Sequence, residues 1–306
     1  MTLPARRRTP RADRIFVALM LAPSLLILAA FYLYPILSNV WFSLTDLSLL
    51  KLRRGGSYIG LANYAEALGG ADFWRVVWNT AFWLTAVSVV VRLLLGMALA
   101  LLLHSQALLR LRLRTLMRLA LLVPWATPPI VAVAVWRWLL TPQAGGINRV
   151  LLWLGVIDQP VAFLASTATV WPAIVLILLW NTLPVVTLTL LAALQSVPQE
   201  LGEAAALDGA GGVRIFRHVT LPHIMPTIAI LSMLMVFWTF NNFAYVWLAT
   251  GAGPGRYTDV LATEVYLRGF VDFNLGSSAA IGVIMAITMG TFGLIYVRVL
   301  GRRVTS

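Results

Sequence analysis

The feature that most restricts this chain is a series of apolar stretches, each long enough to cross a bilayer. A spanning helix needs about 20 predominantly apolar residues to cross roughly 30 Å of hydrocarbon. Six stretches meet that length, at about 15–43, 77–103, 115–140, 169–192, 227–249 and 279–300. Within lipid every backbone N–H and C=O needs a partner inside the protein, so stretches of this kind fold as helices. An all-α integral membrane protein with six transmembrane helices is therefore expected. Composition agrees: 60% of residues are hydrophobic and 11% charged, whereas soluble domains are near half apolar and a quarter charged. The third stretch contains Pro124, Pro128 and Pro129, which predicts a kink or break near its cytoplasmic half.

The formal charge of +12 does not point to nucleic acid, because the basic residues sit between long apolar runs. The basic tail of residues 1–14 precedes an apolar run too long for a cleaved signal peptide, so 15–306 is read as one transmembrane domain with an uncleaved first helix. With the N-terminus inside, 14 Lys and Arg fall on the cytoplasmic side, among them Arg6, Arg7, Arg8, Arg110, Arg112, Arg214 and Arg217, against eight outside. The outer basics are nearly balanced by acids. This bias places both termini in the cytoplasm. The chain has no cysteine, which removes disulfides and thiol ligands. His104, His218 and His223 lack metal-ligand spacing, so no metal site is expected.

One polar segment stands out, the connection at 197–222 between the fourth and fifth stretches. Topology puts it in the cytoplasm. Pro198 suits a helix's first turn, and Glu200 and Glu203 favour its positive end. A short helix over Glu200–Leu207 carries Ala204, Ala205 and Leu207 near one side, and Gly209, Gly211 and Gly212 end it. A second short helix, about 213–220, is expected to stop at Pro222. The result is a compact knob with a small-residue face and an acid for a basic partner. The alternatives are an ordinary polar connection, or an interfacial helix resting Arg214, Arg217 and His218 on anionic lipid.

This segment resembles the EAA loop of bacterial ABC-importer permeases. The matching positions are Glu203, Ala204, Ala205, Asp208, Gly209, Ala210, Phe216, Val219 (isoleucine in the pattern), Leu221 and Pro222. Further segments resemble the carbohydrate-uptake branch: YPILSNVWFSLTD at 34–46, YIGLANY at 58–64, FWRVVWNT at 73–80, PWATPPI at 124–130, LLAALQSVPQELGEAA at 190–205 and TGAGPGRYTDVLATEVYLRGF at 250–270. The last is similar to the maltose- or glycerol-phosphate-type first permease subunit.

The resemblance implies a permease subunit with an importer core at about 75–300, working with a second permease, two cytoplasmic ATPase subunits and an external solute-binding protein. It implies that Glu203 pairs with a basic residue in an ATPase cleft, with Ala204 and Ala205 allowing close approach and Gly209 making the turn. No Walker A pattern occurs in the sequence, so the chain is not expected to be an enzyme or to bind a cofactor, and ATP and Mg belong to the partner ATPases. The implied cargo is a sugar or oligosaccharide, or a glycerol phosphate.

Polar residues inside spans are costly and mark pathways. In the fifth stretch Phe237, Phe240, Asn241 and Ala244 fall on one helical face by their spacing, with Asn242 beside them. Aromatic rings and amide donors suit a sugar, and the FNNF segment resembles one that helps line the sugar site of the maltose permease, carrying Phe240 and Asn241 over as candidates. The alternative is interhelical packing. Asn181 and Thr182 form a second candidate cluster in the fourth stretch, beside Trp180. Arg92 is the one charge deep in a span, facing either an anionic substrate or a partner permease, carbonyls or water. Rival functions are a permease for another solute, a membrane-embedded transferase and a secondary carrier. The shortage of cytoplasmic acids argues against the transferase, and the absence of Asp and Glu inside the spans argues against the carrier.

Overall fold

The computed structural model describes residues 11–105 and 114–304. Arg6, Arg7, Arg8, Arg110 and Arg112 lie outside the described residues. Every regular element among the described residues is helical, and β-type pairing is confined to the isolated bridges Thr45–Tyr58 and Ser48–Asn274.

Among the described residues, five helices are long and apolar enough to cross a membrane: Ile15–Ser43, Ala71–His104, Val170–Gln195, Gly212–Phe240 and Leu275–Val299. A bent pair, Thr115–Ala126 and Pro129–Leu139, raises the number to six if it counts as one span. The two halves meet at 98°. Pro128 and Pro129 lack backbone N–H groups, so helical bonding cannot pass through them, and the chain turns at Thr127–Pro128. The break therefore falls near the middle of the stretch.

Two expectations are corrected at the fifth stretch. The second short helix of the polar connection does not stop at Pro222. It runs on from Gly212 through a π segment, Phe216–Thr220, into Leu221–Phe240. Pro222 removes one helical donor, and the π turn absorbs the loss: the N–H of Leu221 reaches back five residues to the carbonyl of Phe216. At the other end the helix stops at Phe240, and a separate helix begins at Ala244. Phe237, Phe240, Asn241 and Ala244 do not share one helical face.

Among the described residues the chain forms two compact units, 11–67 with 267–284, and 68–105 and 114–266 with 285–304. In the first, the segments 34–46 and 58–64 hold each other. Asn63 donates from Nδ2 to the carbonyls of Ser43 at 2.9 Å and Thr45 at 2.8 Å, and the hydroxyls of Ser43 and Tyr64 share a hydrogen bond of 2.6 Å. Gly276 lies so close to them that a Cβ there would come within 2.1 Å of the Thr45 carbonyl oxygen. That is why a glycine stands at this point.

In the second unit Val170–Gln195 is the central helix, with residues such as Trp171, Ile174, Ile177, Leu190 and Leu194 all buried. One apolar cluster joins it to Leu84, Val133, Tyr245 and Val260. Another joins it to Val89, Ala100, Ile224 and Met235. Gly96 marks a close crossing with Ala71–His104, since a Cβ there would lie 2.7 Å from Cγ1 of Val186. Small residues let membrane helices approach this closely.

Candidate functional site: a polar cavity and an exposed loop

At the break the Pro124 carbonyl loses its i+4 donor and keeps only the N–H of Thr127 at 3.2 Å, and Asn181 bonds both it and the Thr127 carbonyl. Its Nδ2 donates to Pro124 O at 2.6 Å and to Thr127 O at 2.9 Å, and its Oδ1 accepts from the hydroxyl of Tyr245. Orphaned carbonyls in lipid would cost several kcal/mol each. Asn181 therefore holds the break open as a wall.

That wall bounds a cavity of about 340 Å³. Of the sequence candidates, Asn181, Thr182 and Asn242 line it, together with Arg92. Thr182 donates its hydroxyl to Leu178 O at 2.7 Å and keeps its acceptor positions. Asn242 accepts from the N–H of Tyr245 at 3.1 Å through Oδ1, and its Nδ2 has no partner among the described residues.

Phe237, Phe240 and Asn241 do not line this cavity. Asn241 is exposed and folds its Nδ2 back onto Phe237 O at 2.9 Å, a local bond that competes with continuation of the helix. Phe240 is buried. Phe237 packs edge-on against Phe292 and against the bare face of Gly293. Trp180 meets Trp136 edge-to-face, which is packing.

Arg92 is 3% exposed. Its Nε donates to Ser88 O at 3.0 Å and its Nη2 to Thr239 Oγ1. The wall residues Trp125, Trp238, Thr239 and Tyr245 had no signal of their own in the sequence. Only the broken helices bring them to one place.

The polar connection contrasts with this interior. Helix Gln199–Leu207 has no buried residue, and Glu203, Ala204 and Asp208 are exposed. Leu207 is 90% exposed and Val213 83%. Gly209 takes φ +80°, the left-handed region open to glycine. Leu221 is half-buried and Pro222 exposed.

A third cluster was not foreseen. In loop 250–266, Asp259 and Glu264 are both buried and share the guanidinium of Arg256. Asn79 donates from Nδ2 to the carbonyls of Tyr257 at 2.8 Å and Asp259 at 2.9 Å, and Thr80 Oγ1 accepts from the N–H of Leu261 at 2.8 Å. Burial first, and a hydrogen bond with Glu264 second, push the Asp259 carboxyl up to about 6.

Comparison with known proteins places this architecture. Residues 93–306 match the family described as binding-protein-dependent transport system inner membrane component. The chain belongs to that family. It is thus a multi-pass inner-membrane transport component. The trehalose/maltose transport system permease protein MalF of Thermococcus litoralis is 32% identical, covering 92% of this chain and 92% of that protein. The sulfoquinovosyl glycerol transport system permease protein SmoG of Agrobacterium fabrum is 32% identical over 94% and 91%. A solved bacterial alginate ABC transporter, in complex with an alginate pentasaccharide-bound periplasmic protein, has a chain that superposes with a TM-score of 0.80 at 23% identity, covering 96% of each chain. That last likeness speaks for the fold.

Proposed function

We propose that this permease carries a saccharide inward across the membrane as one half of a heterodimeric ABC importer. The observation that supports a saccharide is the full-length similarity to MalF, SmoG and the diacetylchitobiose uptake system permease protein DasB of Streptomyces coelicolor, each about a third identical to this chain. Those names span neutral and acidic sugars, so they set the class and not the member.

In this reading residues 1–14 are a cytoplasmic tail, 15–306 the permease domain with its importer core at about 75–300, and both termini face the cytoplasm. The coupling loop 197–222 docks on one of two ATPase subunits. Leu207 and Val213, nearly fully exposed in the same loop as the exposed Glu203, present the apolar anchors and the charge that a protein interface uses. Nucleotide bound to those partners closes them and moves the loop, which rocks the spans between inward- and outward-facing states. ATP and Mg stay on the partners, and an external binding protein delivers the cargo. Asn181, Thr182, Asn242 and the cavity they line are the proposed pathway. Phe237, Phe240 and Asn241 would act there only through packing.

The test is uptake by cells lacking the chain. Loss of saccharide uptake, with amino acid uptake kept, supports the reading. Loss of amino acid or polyamine uptake with every saccharide still imported overturns it in favour of another solute class.

A further inference from the structure

We propose that the cavity is an anion-reading subsite: the saccharide it accepts bears a carboxylate, sulfonate or phosphate, and Arg92 is its anchor. This deepens the carbohydrate reading and rests on it.

The argument begins with what Arg92 lacks. Two of its nitrogens are engaged, Nε with Ser88 O and Nη2 with Thr239 Oγ1. These bonds fix the plane of the guanidinium. Nη1 has no hydrogen-bond partner, and no acid forms an ion pair with Arg92, among the described residues. A charge buried in a membrane protein is expensive unless it is paired. An arginine serving only to tie helices would be expected to have its remaining donors met by carbonyls or a carboxylate. Here Nη1 has no such partner, and Arg92 is one of the residues that line the cavity.

The rest of the cavity suits a sugar that carries such a charge. Its volume of about 340 Å³ lies at the low end for small-molecule pockets, enough for a short saccharide segment. Trp125 and Trp238 form part of the wall, and indole rings are the side chains on which sugar C–H groups stack. Thr182 and the free Nδ2 of Asn242 offer polar contacts to hydroxyls. A neutral sugar would satisfy these groups and leave the guanidinium uncompensated. A carboxylate, sulfonate or phosphate would meet Nη1 with short, charge-assisted bonds.

The test uses the assembled importer in lipid nanodiscs without its binding protein, so that the permease alone selects. Isothermal titration is run with glucose-based disaccharides differing only at the sixth carbon: hydroxyl, carboxylate, sulfonate or phosphate. At least one charged probe should bind about 10- to 100-fold more tightly than the neutral one, the range of a charged hydrogen bond. The tightest identifies the anion. Arg92→Gln should erase that preference, and Arg92→Lys should keep part of it. Thr239→Val removes the tie on Nη2 but keeps the charge, and should retain the preference. If Arg92 is only a tie between helices, Arg92→Gln will leave the ratio of charged to neutral binding unchanged, or Thr239→Val will erase the preference as fully as Arg92→Gln does, and either result overturns the proposal. Should the neutral probe bind best and be transported, the anion assignment falls while the carbohydrate reading stands. Should no probe bind and the reconstituted importer move no saccharide, both fall.

Discussion

Asn181 stands 2.6 Å from the carbonyl oxygen of Pro124, a residue in a different helix, and so supplies the hydrogen bond that Pro128 cannot. A single side-chain amide converts a defect in one helix into a wall of the cavity. Asn181→Leu should therefore lower the thermal unfolding midpoint of the purified protein, by the equivalent of about 1–3 kcal/mol for unsatisfied polar groups. Asn181→Asp should do worse, since it removes the donors and adds a charge. Fluorescence-detected thermal denaturation in detergent checks both, and unchanged midpoints would remove the staple role.

Charge reversal at Glu203, or valine at Gly209, should abolish association with the ATPase and uptake while leaving membrane insertion intact. At Gly209 the backbone sits at φ +80°, where a residue with a Cβ costs about 1–2 kcal/mol, and valine more. Co-purification of the ATPase with each variant is the measurement. Full association by both would sink the coupling role of this loop.

The Asp259 carboxyl, pushed up to about 6 by burial and by Glu264, makes loop 250–266 sensitive to acid. An unfolded aspartate titrates near 3.9, so between about pH 4 and 6 the folded state holds more proton than the unfolded state. Stability then rises as pH falls through that window and is lost as pH rises through 6. Limited proteolysis of the loop should slow on going from pH 7.5 to 5. Asp259→Asn should remove that difference, and a variant whose cleavage still slows on acidification would place the titration elsewhere.

Gly96→Ala puts a methyl group 2.7 Å from Cγ1 of Val186 and should cost about 1–3 kcal/mol, the usual penalty of overpacking. Val186→Ala in the same chain should recover most of it. A double-mutant cycle on the unfolding midpoint reads the coupling, and additive effects would show that the crossing relaxes freely.

Much of this fold was legible in the chain because lipid leaves few options. Long apolar runs had to be helices, and of the prolines at 124, 128 and 129 the adjacent pair broke one while Pro124 stayed within a helix. The glycines after Leu207 ended the helix Gln199–Leu207 for an equally local reason. The family segments were also readable, but their purpose was not. The contacts show it: Asn63 of 58–64 holds the carbonyls of Ser43 and Thr45 in 34–46, Asn79 of 73–80 holds Tyr257 and Asp259 in 250–270, and Asn181 holds 124–130.

Less legible was the site. Helical spacing grouped Phe237, Phe240, Asn241 and Ala244 because periodicity assumes an unbroken helix. The side chains of Asn241 and Asn242 bond to nearby backbone instead and end the helix there. The π turn at Phe216–Thr220 let the helix run through Pro222, which no local rule for proline anticipates.

Sequence alone determined that the chain is helical, membrane-embedded and furnished with an exposed polar loop, since hydrocarbon length, charge bias and glycine placement act over a few neighbouring residues. Which polar groups share one cavity was decided by helices meeting in three dimensions. Arg92, Asn181 and Asn242 come from three separate segments, and only the packing around two helix breaks turns them toward the same space.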